Sequence, residues 1–209
     1  MVLRPTPTDE RVSQLCACGR SDLAAGVVLD AHGGEVMRFL VKRARDAQLA
    51  SEAFSAFSED LLRGLPGFVH ACSIRTWVFT LAHHALARTQ RVHARDRSRT
   101  AALSEAQERS GAVLHPRTNT PAYLRTEVKA RMRELALQLP EDDQLLIDLR
   151  TTRRFAWKDI ARIVIGSEHT PDDAEVEREA VRLRKRYQLA TDRLRALAVA
   201  AGIVPPSDE

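Results

Sequence analysis

The sequence predicts an all-α protein: two small helical domains joined by a flexible linker, the second one ending in a single long helix. Three observations carry this. Apolar residues recur at three- and four-residue steps through most of the chain, the period of an amphipathic helix rather than the alternation of a strand. Aromatic residues make up only 5% and glycines number 9 in 209 residues, a poor supply for strands and few interruptions for helices. Hydrophobic residues at 44% and charged residues at 29% allow packed cores under a solvated surface, which excludes wholesale disorder.

Residues 1–29 read as an N-terminal extension without a role of their own. The first helical domain is expected over residues 30–91. Val36, Phe39, Leu40 and Ala44 form one helical stripe, and Phe54, Phe57, Leu61 and Leu65 a second. Leu65, Pro66 and Gly67 break the chain, because proline and glycine both stop helices. Ile74, Trp77, Val78, Leu81 and Ala85 then share the face of a third helix. The linker is expected over residues 92–120. At its start Arg91, Arg95, Arg97 and Arg99 face a single acid, Asp96, while residues 111–121 are rich in Gly, Pro, Thr and Asn. Such a segment suits a tether.

The second domain is expected over residues 121–204, with a tail at 205–209. Leu124, Val128, Met132, Leu135 and Leu139 mark its first helix. Pro140, Glu141, Asp142 and Asp143 start the next, since proline fits a first turn and acids there interact favourably with the helix dipole. Leu145, Leu146 and Leu149 follow. Trp157, Ile160, Ala161 and Val164 make a short helix that Gly166 is placed to cap. Thr170, Pro171, Asp172 and Asp173 look like the entry to the last helix. Its seam is the clearest pattern in the chain: Val176, Ala180, Leu183, Tyr187, Ala190, Leu194, Leu197 and Ala201. The acidic residues between Ser167 and Glu179 are expected to extend that helix by about two turns at its start.

A short amphipathic helix, a turn and a basic helix read as a helix-turn-helix. A helix that enters a major groove needs long donors on one face and an apolar opposite face. Arg182, Lys185 and Arg186 share one face by their spacing, and Arg184 and Gln188 a neighbouring one. Arginine can pair two hydrogen bonds with guanine, and both lysine and arginine neutralise phosphates. The same seam would also serve a solvated helix in a coiled coil. Arg75, Arg88, Arg91, Arg95, Arg97 and Arg99, with His83 and His84, form a second basic group around Trp77. Trp77 could stack on an unpaired base, but its place on the apolar face favours the core.

Other chemistries find no support. No run of about 18 apolar residues exists, so no membrane insertion is expected, and the start lacks the apolar core of a secretory signal. Cys16, Cys18 and Cys72 are too few and too scattered for a disulfide scaffold and fit a cytoplasmic protein. Neither do they supply the four ligands that structural zinc prefers, so no metal is expected. Gly33 and Gly34 lack the following Lys and Ser/Thr of a phosphate loop, and no serine sits in a nucleophile elbow. No cofactor, no catalytic residue and no enzymatic activity are therefore expected.

The segment Ser73–Arg91 (SIRTWVFTLAHHALARTQR) resembles the promoter-melting segment of extracytoplasmic-function RNA polymerase sigma factors. That segment typically opens on Arg or Lys, a variable residue, Trp and Leu, continues with Ala-Arg-Asn, and ends in a basic tail; His83 and His84 stand here where the family has Arg and Asn. Residues 53–68 resemble the helix with which such factors hold the polymerase clamp. Residues 139–165 resemble the start of their C-terminal domain, and residues 182–197 their recognition helix and its tail. The four segments occur in the family's order. The resemblance implies core RNA polymerase and promoter DNA as partners, with an anti-sigma factor as a further partner common in the family. It implies polymerase contacts at Glu52, Glu59 and Asp60. Contacts to an opened minus-ten element would fall to Arg75, Trp77, Arg88, Arg91 and Arg95, and contacts to a duplex minus-thirty-five element to Arg182, Arg184, Lys185, Arg186 and Gln188.

Two other readings stay open from the residues themselves. An autonomous helix-turn-helix regulator would dimerise through the seam from Val176 to Ala201 and bind two-fold related half-sites. A scaffold would use the same seam as a coiled coil toward a protein partner.

Overall fold

The computed structural model describes residues 5–68, 71–101, 123–166 and 171–204. The tail at 205–209, the linker from residue 102 onward and the turn at 167–170 lie outside the described residues. Every regular element among the described residues is helical. The chain divides into two compact units, Met1–Val113 with Arg162–Thr170, and Leu114–Ala161 with Pro171–Glu209.

The first unit is built on α1 (Pro7–Ala17), α2 (Ser21–Val28), α3 (Gly34–Ala44), α4 (Ala47–Gly64) and α5 (Ile74–Ala101). Helix α1 opens on a capping box. Asp9 N donates to Thr6 Oγ1 at 3.2 Å, and Thr6 N donates to the Asp9 carboxylate at 2.7 Å. The same carboxylate, 8% exposed, accepts from Ile74 N at 2.8 Å. One side chain thus starts two helices, α1 and α5, far apart in the chain. Residues 7–28, set apart as an extension by the sequence reading, are part of the core: Val12, Ala24 and Val28 are fully buried.

A tight turn joins α3 to α4. Arg45 adopts the left-handed conformation with φ 54°, which ends α3, and Asp46 caps α4 by accepting from Gln48 N and Leu49 N. The expected stripes face inward. Val36, Phe39, Leu40, Phe57, Leu61 and Leu65 are buried, and the Phe39 and Phe79 rings meet edge to face at 5.3 Å. Each such side chain stabilises the fold by about 1.5–3 kcal/mol. Ile74, Val78, Phe79, Ala82 and Ala85 bury the first part of α5.

Helix α5 does not stop at residue 91, where the sequence reading placed a linker. It continues to Ala101. Arginine, alanine and glutamine are good helix formers, and no Gly or Pro interrupts residues 74–101. A charged composition without breakers supports a solvated helix as readily as a tether.

The second unit holds α6 (Tyr123–Ala136), α7 (Glu141–Ile147), the part of α8 (Trp157–Ile165) as far as Ala161, and α9 (Asp173–Ala200). Pro140 is the residue before α7, and Glu141, Asp142 and Asp143 occupy its first turn. Burial along α6 grows toward its end. Val128, expected on the inner stripe, is 45% exposed, Met132 and Leu135 are half-buried, and Leu139 just beyond is buried. A π-helical turn at Asp148–Thr152 follows α7, and a buried ion pair between Arg153 Nε and Asp148 at 2.7 Å closes it. Leu145, Leu146, Leu149, Phe155, Ile160 and Ala161 form the core with Val176, Ala180, Leu183 and Ala190 of α9. Asp172 caps α9 by accepting from Glu175 N at 2.7 Å, so the acidic stretch from Asp173 to Glu179 is helical, as expected.

Candidate nucleic-acid interface

Helix α9 sorts its charges around its circumference. On its inner side Arg186 Nε donates to Asp143 at 2.6 Å and Arg193 Nη1 donates to the other oxygen of that carboxylate at 3.1 Å. Asp142 lies 3.2 Å from Arg186 Nη2. The Asp143 side chain is only 2% exposed, so this carboxylate is spent on holding α7 to α9. Its hydrogen bond raises the Arg186 guanidinium above its already high value. The assignment of Arg186 to base reading therefore meets a competing structural role.

Arg182, on the flank, gives two bonds of 2.8 Å each to Glu179, and that pairing raises its own value too. Arg184, Lys185 and Gln188 are exposed, and among the described residues neither Arg184 nor Lys185 is drawn into an ion pair. The structure thus splits the five residues singled out on this helix. Three stand outward, one is held by its neighbour, and one is turned toward α7. The acids that precede them are occupied. Lys158 takes Glu177 at 2.8 Å, and its hydrogen bond holds the Glu177 carboxyl below the usual range. The start of α8 packs on the same helix through Trp157, whose ring meets Tyr187 edge to face at 5.4 Å. Arg150 lies 4.9 Å over the Trp157 ring and donates to the Phe155 carbonyl at 2.9 Å.

Helix α5 divides its residues differently. Trp77 is half-buried, with Phe68 at 4.7 Å between ring centroids and Gly64 beneath it. A Cβ on Gly64 would lie 2.9 Å from the indole, so glycine is what lets the ring sit there. The ring thus packs at the edge of the core rather than inside it, where the apolar face had suggested it would lie. Arg75 is on another side of the helix. It forks onto Glu35 at 2.6 and 3.1 Å and lies 5.6 Å over the Phe79 ring. Trp77 and Arg75 are therefore not brought together as one base-binding group.

Two of the acids expected to touch polymerase are engaged with α5. Asp60 pairs with Arg88 and with Arg63, and Glu52 with His93. The His93 hydrogen bond holds Glu52 below the ordinary carboxylate range. Glu59 is exposed. Arg91 and Arg95 are exposed beyond the packed part of α5, Arg91 donating only to its own helix at the Ala87 carbonyl. His83 and His84 are half-buried, with their rings 5.2 Å apart.

Two positioning residues escaped the sequence reading. Asp9 was detectable, because Thr6 and Asp9 stand at capping-box spacing. Asp143 was read only as a helix start; its partners are 43 and 50 residues away, and no local pattern points to them. Among the described residues no three His, Cys, Asp or Glu side chains gather as a metal site, and no helix is long and apolar enough to cross a membrane. Burial pushes the Cys16 thiol above its ordinary value, away from reactivity.

No known protein-family profile matches the chain. It is similar to the RNA polymerase sigma factor YlaC of Bacillus subtilis (strain 168), with 26% identity over 131 residues, which span 62% of this chain and 73% of that protein.

Proposed function

We propose that this protein is an alternative sigma factor of the extracytoplasmic-function type, which joins core RNA polymerase and directs it to promoters. The observation that carries the reading is the outward face of α9. Arg184, Lys185 and Gln188 stand free there while the helix's nearby acids Glu177 and Glu179 are paired with Lys158 and Arg182. Such a face suits phosphates and base edges of duplex DNA. Similarity to a named sigma factor supports the polymerase half of the reading.

In this proposal the second unit reads the duplex minus-thirty-five element, and the first holds the polymerase clamp and the opened minus-ten element. Glu59 is its most accessible acidic contact, and Arg91 and Arg95 are its most accessible basic ones. Arg88, tied to Asp60, and Arg75, tied to Glu35, would have to exchange an acid for DNA. Of the seam offered for a dimer or a coiled coil, Val176, Ala180, Leu183 and Ala190 are buried within its own unit, while Tyr187, Leu194 and Leu197 are half-buried and Ala201 is exposed. The burial of those four residues counts against a dimer or coiled coil that uses the first part of the seam.

The test is retention of the tagged full chain on bacterial core polymerase, followed by transcription from a library of randomised promoters. Retention together with a selected pair of promoter elements is the expected result. A chain that core polymerase never retains, or that binds one duplex site equally well without it, sinks the proposal.

A further inference from the structure

Arg178, Val181, Lys185 and Gln188 follow one another at steps of three, four and three, which places them on one stripe of α9. All four are exposed, Val181 by 43%. Among the described residues neither Arg178 nor Lys185 has an ion pair. Ala174 extends the stripe toward the start of the helix, and Asp192 is the first carboxylate it meets in the other direction. The acidic residues interleaved with it are paired, Glu177 with Lys158 and Glu179 with Arg182. What reads in sequence as an acidic approach to a basic helix is, in three dimensions, a cationic and apolar stripe flanked by neutralised acids.

We infer that the DNA-reading surface of α9 begins at Arg178, more than a turn before the basic cluster at Arg182–Arg186. Arg178 donates two hydrogen bonds to a guanine edge, and Val181 meets a thymine methyl group. The inference rests on the DNA-binding reading above and adds the extent and base chemistry of the site. A face from Arg178 to Gln188 is about 15 Å long at 1.5 Å per residue. That is about four base-pair steps of 3.4 Å, against fewer than two for a face confined to Arg184–Gln188. An arginine pairs in a forked geometry with guanine O6 and N7, and a small branched apolar side chain suits the thymine methyl. Between Arg178 and Gln188 the stripe itself carries no carboxylate, and its flanking acids Glu177 and Glu179 are paired with Lys158 and Arg182, which fits a polyanion.

The experiment selects promoters from a library randomised across the upstream element. It uses the full chain assembled with core RNA polymerase, as wild type and as Arg178→Ala, Arg178→Lys, Val181→Ala and Lys185→Ala. The expected result is that both Arg178 variants lose a guanine preference of about tenfold or more at one edge of the element. Val181→Ala should weaken a thymine preference beside it by a few-fold, and thermal melting of these variants should match wild type. Selection unchanged in the Arg178 and Val181 variants but altered in Lys185→Ala overturns the inference and leaves the DNA-binding reading standing. Full rescue by Arg178→Lys of an affinity that Arg178→Ala lowers evenly across sequences also overturns it, because that behaviour belongs to a phosphate-binding residue. Selection unchanged in all four variants overturns the inference and the assignment of α9 to DNA together.

Discussion

Helices α5 and α9 are each 28 residues long and both are rich in arginine, yet they use that charge in opposite ways. Helix α5 separates its residues along the axis. Its first part, from Ile74 to Leu86, is sunk in the core of its unit, and its later residues, from Arg88 to Arg97, are half-buried or exposed. Helix α9 separates them around the axis, with buried positions recurring from Val176 to Ala198. The acids are distributed to match. On α5, acids of α3 and α4 reach across to Arg75, Arg88 and His93. On α9, the ties are made on the inner side and flanks, and the outer stripe is left open. The number of basic residues does not distinguish these two surfaces. The position of the carboxylates does.

The contrast can be broken most severely from the inside of α9. Asp143→Ala removes the buried carboxylate that Arg186 and Arg193 share, and should cost about 2–4 kcal/mol, between the values for surface and buried pairs. Urea unfolding would measure it. An unchanged midpoint would mean that Arg186 is free to face DNA after all. The counterpart in the first unit is Asp9→Asn, which weakens the caps of both α1 and α5 and should cost about 2 kcal/mol.

The pH dependence of Asp9 is specific. Burial alone would raise its carboxyl, but the hydrogen bonds from the Thr6 hydroxyl and from the Thr6 and Ile74 amides outweigh it and hold the group below its ordinary value. A depressed carboxyl contributes stability that is complete above the ordinary aspartate pKa and is lost as pH falls through the lowered folded value. Melting curves taken through that acidic window should fall more steeply for wild type than for Asp9→Asn. Parallel curves would dismiss the carboxylate as a cap.

Smaller effects should come from the outer stripe. Arg184→Ala with Lys185→Ala should leave unfolding unchanged and lower promoter binding by about tenfold. The slope of log affinity against log salt should flatten by roughly 0.9 for each phosphate that is no longer neutralised. Arg186→Ala should do the reverse, lowering the melting temperature first. The least effect belongs to Arg88→Ala, because an exposed pair with Asp60 contributes about 1 kcal/mol or less. A loss of promoter opening without a loss of stability would show that Arg88 leaves Asp60 for DNA.

Much of this was legible. Val36, Phe39, Leu40, Phe57, Leu61, Leu65, Val176, Ala180, Leu183 and Ala190 are buried as their spacing demands, with Ala44, Phe54, Tyr187, Leu194 and Leu197 of the same stripes half-buried at the edges, because helical periodicity is set by the core each helix must cover. Three features were not. The basic continuation of α5 has the composition of a linker, although residues 92–101 contain nothing that breaks a helix. Residues 7–28 carry no motif that points to their role, yet Val12 and Val28 complete a core supplied mainly by later helices. The division of Arg182, Arg184, Lys185 and Arg186 was hidden because it depends on Asp143, which only the tertiary packing of α7 brings to α9.

The chain contains just two tryptophans, and each unit has one. Trp77 rests on Gly64 beside Phe68, and Trp157 has the Arg150 guanidinium over its ring and Tyr187 edge-on to it. Replacing either with phenylalanine would leave a single indole fluorophore. Its emission would then report the melting of one half of the molecule while the other half goes dark, so the cooperativity of the whole becomes directly observable without any attached dye.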